Sequence, residues 1–180
     1  MVANRKSRRE QQIIAAGKIA VAIGEEFVGP ALLFKRASND DLERYTPEML
    51  ALSAVRAASD VSDWDGETAL VRIETIADVA PNGVPVTVLS IVGRNKPFLY
   101  DSVMGEVTSQ FRDIYLAIHP IFSIDADGGV SLSSPDASAD PARRISYIQL
   151  HLAPLSSEQA AGLGERLKTV LAQVSLVSTD

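Results

Sequence analysis

Cysteine is absent from the 180 residues, and histidine occurs only as His119 and His151. The first absence excludes disulfides, thiolate metal sites and a cysteine nucleophile. The second excludes a histidine-rich metal cage. No apolar run approaches the roughly 18–20 residues that a membrane-spanning helix needs, so the expectation is a soluble chain that does not engage a membrane. Apolar residues nevertheless make up 46% of the sequence, with a mean hydropathy of +0.09, which is ample material for a core.

Positive charge is scarce outside the N-terminus. The net charge is −6, and Arg5, Lys6, Arg8 and Arg9 supply four positives in the first nine residues; setting these apart leaves the remainder at −10. Phosphate-backbone binding rests on Lys and Arg neutralising phosphates, so nucleic acid is not an expected partner. The basic start, followed by Ile13-Ile14-Ala15-Ala16 and Ala20-Val21-Ala22, touches the pattern of a secretory leader. Glu10, Gln11, Gln12 and Lys18 interrupt what would be its apolar stretch. A basic arm running into an amphipathic helix, in a cytoplasmic protein, is the reading kept.

Residues 8–28 place Ile13, Ala16, Ala20, Ile23 and Phe27 on one helical side and Gln11, Lys18 and Glu25 on the other, with Gly29-Pro30 as the break. Ser38-Asn39-Asp40-Asp41 starts a short turn carrying Leu42. A further helix is predicted from Pro47 to Ala58, capped by Thr46, with Met49, Leu52 and Val55 as its buried stripe. Residues 1–63 therefore form a helical lead-in or docking segment, and residues 64–180 an α+β domain.

The pattern changes at Trp64. Strands are predicted at Ala69–Ile73 and Val86–Val92, with the Pro81-Asn82-Gly83 turn signal between them. Asn95 or Lys96 is the expected cap of a helix from Pro97 to about Gln110, whose apolar face carries Leu99, Tyr100, Val103, Met104, Val107 and Phe111. Ile114–Ile124 reads as a strand whose Pro120 implies a sheet edge or a bulge, and Asp127-Gly128-Gly129 as a hairpin turn into Val130-Ser131-Leu132. Ser133–Arg144 has little to bury and reads as a mobile loop. Ile145–Leu152 alternates, as befits a strand with one wet face or a central strand with polar partners. Ser156 and Gln159 form a capping box ahead of a helix facing inward through Ala160, Leu163, Leu167, Val170, Leu171 and Val174. Ser175-Leu176-Val177 is expected to begin a last strand. From Val86 the order is βαββαβ, a ferredoxin-like antiparallel sheet with two helices on one face, which the strand near residue 70 would extend.

No catalytic constellation emerges. Ser102 sits inside a helix and lacks a Gly-x-Ser-x-Gly elbow, Gly93 is not followed by the further glycines of a phosphate loop, and His119 reads as a structural histidine before Pro120. The segment Asn95–Val103 carries most interest, because it joins the strongest strand to a helix whose first N–H groups can face a carboxylate. Arg94 and Lys96 add positive charge there. The plain alternative is an ordinary turn with solvated basic residues.

Asn95-x-Pro97-Phe98-Leu99-x-Asp101-Ser102-Val103, followed by Ile118-His119-Pro120-Ile121, resembles the N-terminal, ACT-type region of the large bacterial NAD-specific glutamate dehydrogenases. The resemblance covers roughly residues 30–180. It implies a non-catalytic regulatory or assembly domain, with NAD and the oxidative deamination of glutamate belonging to the parent polypeptide and no cofactor bound by this chain. It also implies docking on the rest of that enzyme, self-association through the ACT-like domain, a continuation of the native chain past Asp180, and an amino-acid effector at the first strand–helix junction. The residues implied at that junction are Asn95, Lys96, Phe98, Leu99 and Asp101, with the effector carboxylate on the first-turn N–H groups and its ammonium near Asp101. Phe98 stands where the family commonly has glycine. Two other readings stay open: a stand-alone ACT-type amino-acid-binding protein, and a small enzyme on the same scaffold.

Overall fold

Two long strands, both flanked on either side by neighbours, organise the molecule, and their composition explains why. Val86–Arg94 is dominated by β-branched and aliphatic residues and is buried along all but its last position, and Arg144–Leu152 is almost equally buried. The computed structural model describes residues 6–77, 81–138 and 140–177. Arg5 of the basic arm, Val79 before the Pro81 turn, Ala139 of the Ser133–Arg144 loop and Asp180 lie outside the described residues. In chain order the helices are α1 (Arg8–Ile23), α2 (Pro30–Leu33), α3 (Asn39–Glu43), α4 (Pro47–Ser62), α5 (Leu99–Thr108) and α6 (Ser157–Val177). The strands are β1 (Leu70–Ile76), β2 (Val86–Arg94), β3 (Ile114–Ile118), β4 (Ile121–Ile124), β5 (Val130–Ser131) and β6 (Arg144–Leu152).

The strands form one antiparallel sheet. β1 pairs with β2 (Ile73 opposite Leu89) and β2 with β6 (Val88 opposite His151). β3 and β4 lie along the other side of β6, and β5 closes a hairpin on β4. The predicted 114–124 strand is thus two strands broken at His119-Pro120, as a residue without an N–H requires. The Pro120 carbonyl still accepts from Tyr147 N–H at 3.2 Å across the break. Gly128, at φ 89°, makes the expected hairpin turn.

One sheet face lies under α5 and α6. Leu89, Ile91, Ile148, Leu150 and Leu152 meet Leu99, Val103, Val107, Leu163, Leu167 and Val174 there, and a fully buried Leu of this kind contributes about 1.5–3 kcal/mol. Ser156 Oγ accepts from Gln159 N–H and Gln159 Oε1 from Ser156 N–H, so the expected capping box opens α6. This is the α+β, ferredoxin-like arrangement expected for βαββαβ, with one correction. Ser175-Leu176-Val177 is the last turn of α6, not a strand. The edge of β2 that a closing strand would take is already held by β1.

The opposite face is covered by α1–α4. Val92, Leu116, Ile118, Phe122, Ile145 and Tyr147 share one core with Ala16, Phe34, Leu42, Leu50, Ala54 and Val61. Three further details depart from expectation. α1 stops at Ile23, because Gly24 takes the left-handed conformation (φ 79°) and closes the C-terminus; Gly29-Pro30 opens α2 instead. α4 runs on to Ser62 and buries Leu50, Ala51, Ser53, Ala54, Ala57, Ala58, Asp60 and Val61, whereas Leu52 is exposed and Met49 and Val55 are half-buried. Small side chains let α4 approach Ala16 and Ala20 of α1 and the polar residues of β6. Finally, the predicted loop Ser133–Arg144 contains a 3₁₀ turn at Pro141–Arg143, and Arg144 belongs to β6.

Candidate functional site

The β2–α5 turn is built differently from its sequence reading. Neither Asn95 nor Lys96 caps α5: the cap is Phe98, in the left-handed region at φ 62°, with no side-chain hydrogen bond and 73% of its surface exposed. Pro97 holds Lys96 out of the helical region, and the positive φ at Phe98 delays the helix until Leu99. The Leu99 N–H donates to the Lys96 carbonyl at 3.3 Å and Ser102 N–H to the Phe98 carbonyl at 2.9 Å. Asn95 N–H donates to the Arg144 carbonyl at 2.9 Å, which ties the turn to β6.

The five residues implied at this junction fall into separate surroundings. Asn95 lines a recess of about 360 Å³ on the α1–α4 side. Lys96 and Leu99 line a smaller one of about 100 Å³, together with Glu67 and Ser175. Phe98 borders a groove with Pro97, Ser102 and Val177, and the exposed Asp101 lines none of these. Lys96 Nζ donates to Ser175 Oγ at 2.6 Å, joining the turn to the end of α6. Arg94 borders the same small recess, with its guanidinium over the Trp64 ring at 5.6 Å and donating to the Gly66 carbonyl.

A buried polar chain, absent from the sequence reading, joins the α1–α4 layer to the sheet. Tyr45 Oη meets His151 Nδ1 at 2.8 Å, His151 Nε2 meets Gln149 Oε1 at 2.8 Å, and Gln149 Nε2 donates to Tyr147 Oη at 2.7 Å. Tyr147 donates to Asp60 Oδ2 at 2.7 Å, and Asp60 Oδ1 accepts from Arg72 at 2.6 Å. Gln149 Nε2 also donates to the Ser53 carbonyl, which orients the amide. The direction of every link follows: His151 carries its proton on Nε2 and accepts from the Tyr45 hydroxyl on Nδ1. Burial, reinforced by Arg56, lowers the His151 pKa to about 3. Burial first, then the Asp60 charge, pushes the Tyr147 hydroxyl well above its ordinary value, so it remains a donor. The alternation Tyr147, Gln149, His151 was the available signal, since three polar residues on one face of a central strand require partners.

His119, which sequence reading treats as structural, is held at the β3–β4 break. Its Nε2 meets Ser146 Oγ at 2.6 Å and its ring stacks on Tyr100 at 4.6 Å and 11°. Burial, with Arg36 assisting and Asp101 opposing, lowers its pKa to about 4, so the ring is neutral at pH 7.

The antiparallel sheet, with α5 and α6 on one face and a strand–helix turn open at its end, defines an ACT-like ferredoxin-type domain. The chain matches the family model of the glutamate dehydrogenase ACT1 domain over residues 31–167 and belongs to that family. No curated protein and no solved structure matches it. Among the described residues, no helix is long and apolar enough to cross a membrane.

Proposed function

We propose that the chain is a non-catalytic regulatory and assembly module of an NAD-dependent glutamate dehydrogenase, working in the cytoplasm. Nucleotide binding and the oxidation of glutamate reside in other parts of that polypeptide. The observation that carries this reading is the ACT1-domain match over residues 31–167. Assembly is assigned to the apolar groove that Phe98 and Val177 border, each more than two-thirds exposed. In this reading the groove meets a second copy or the rest of the enzyme.

Amino-acid sensing is assigned to the small recess behind the turn. Its lining holds Lys96 and Glu67, opposite charges of the kind a zwitterion needs, beside the apolar Leu99, Ile91 and Leu171. Glu67 thereby takes the ammonium-binding part that the sequence reading gave to Asp101. The test carries Lys96→Ala and Glu67→Ala into the intact dehydrogenase. Glutamate turnover is expected to stay within about twofold of the parent, because uniform loss of an effector leaves the chemical step alone, while the response to added amino acids disappears. Retained responsiveness in both variants refutes the sensing site. NADH formation by this chain alone, abolished by a point substitution within it, refutes the non-catalytic reading.

A further inference from the structure

The 360 Å³ recess on the α1–α4 side runs against the acidic balance of the chain. Lys35, Arg36 and Arg144 line it with His119, Asn95 and Ser134, and among the described residues no Asp or Glu contributes to its wall. Acidic residues outnumber basic ones in the chain, 23 to 17. Yet among the described residues Lys35 and Arg36 enter none of the ion pairs, which are made by Arg56, Arg72, Arg166 and Lys168.

Most of the wall, namely the Lys35–Arg36 turn, Asn95 and His119, is also fixed in place. The turn carrying Lys35 and Arg36 follows the buried anchors Leu33 and Phe34. The Arg9 guanidinium donates to the carbonyls of Phe34, Lys35 and Ala37, so one cation from α1 is spent on holding the backbone of two others. Asn95 is bound to the Arg144 carbonyl, and His119 is held by Ser146 and the Tyr100 ring. Site walls ordered in advance spare a ligand the ordering cost.

We propose that this recess binds a small polyanion, a molecule carrying two or more carboxylate or phosphate groups. Lys35, Arg36 and Arg144 supply the charge, and Asn95 and Ser134 add neutral hydrogen-bonding groups. The site belongs to the junction between the helical layer and the sheet, on the far side from the Lys96–Glu67 recess. Each can therefore fail without the other. The volume lies at the small end of the range for ligand pockets, about 300–1,000 Å³, which fits a metabolite and not a macromolecule.

The test is calorimetry on the full chain with citrate, succinate, pyrophosphate and inorganic phosphate, each at up to roughly 10 mM, the weak end of useful affinity. Acetate is the monovalent control, and the His119 ring resonances are followed by NMR. Saturable one-to-one binding that shifts His119 is expected. The affinity should fall about tenfold for each of Lys35→Ala and Arg36→Ala, as loss of a charge-assisted hydrogen bond implies. Both residues are exposed, so the variants keep the fold. Citrate and succinate winning over the phosphates identifies a polycarboxylate; the reverse identifies a phosphate ester. Absence of saturable binding, acetate binding equally well, or full affinity in the double variant overturns the proposal.

Discussion

Replacing Tyr147 by Phe isolates the central link of the buried chain while leaving the ring in place. The residue is fully buried, and its hydroxyl makes two bonds of 2.7 Å, one donated to Asp60 and one accepted from Gln149. Without it, the Asp60 carboxylate keeps Arg72 at 2.6 Å on one oxygen, but its other oxygen has only Arg56 at 4.0 Å. Gln149 Nε2 is left with the Ser53 carbonyl at 3.4 Å. A bond to a charged group contributes about 1.5–3 kcal/mol and a neutral one about 1 kcal/mol. The substitution should therefore cost about 3 kcal/mol, or roughly 6–12 °C in Tm for a chain of this size. Trp64 is the sole tryptophan and is buried in the same core, so its fluorescence reports urea unfolding directly. The midpoint should fall with the slope unchanged. In an Asp60→Asn background the same change should cost about 1 kcal/mol less, because the acceptor is no longer charged. A cost below about 0.5 kcal/mol, or no coupling between the two sites, would refute the assignment of the chain as the clamp between the helical layer and the sheet.

Acid should loosen the fold through the two histidines. Their folded pKa values, about 3 for His151 and about 4 for His119, lie below the unfolded value near 6.5. Their contribution is thus fully present above pH 6.5 and is lost as the pH falls through the folded values. Between about pH 6 and 4 the slope should approach about 1.4 kcal/mol per pH unit for each histidine, and unfolding titrations of His151→Gln and wild type should diverge in that window. Phe98→Asn should raise stability by about 1 kcal/mol, since Asn accepts the left-handed conformation more readily than a bulky aromatic residue. The same variant should weaken self-association in sedimentation runs; unchanged stability and unchanged mass would count against both readings of Phe98.

The parts legible in the sequence were those where one local signal dominates. The β-branched run at Val86–Val92 had no competing interpretation. The Ser156–Gln159 capping box and the apolar stripe from Leu163 to Val174 agreed with each other, whereas Pro120 marked an irregularity in the 114–124 run without revealing that it splits into β3 and β4. The failures were equally physical. On α4 the largest apolar residues drew attention to Leu52 and Val55, but the packed face is mostly Ala and Ser between Leu50 and Val61, and these small residues contribute close approach more than apolar area. Ser175-Leu176-Val177 is too short a run for periodicity to separate strand from helix, and pairing of Leu70–Ile76 with β2, far away in the sequence, decides the matter. The five junction residues are neighbours in sequence but diverge in space, because a turn with one left-handed residue points successive side chains into different recesses. Lys35 and Arg36 gave no sequence signal at all; only the fold brings them beside Asn95, His119 and Arg144.

The directed bonds from Tyr45 to Asp60 also act as a ruler for how α4 can sit on β6. An α-helix turns by about 100° per residue, so sliding α4 by one position would swing Asp60 away from Tyr147 and strand a carboxylate in the core. Sliding it by a full turn toward the C-terminus would put Arg56 where Asp60 stands, setting a cation against a hydroxyl that must donate. Apolar contacts alone, largely Ala against Ala, would tolerate such slips far better. One tyrosine and one aspartate therefore leave the helical layer a single seat on the sheet.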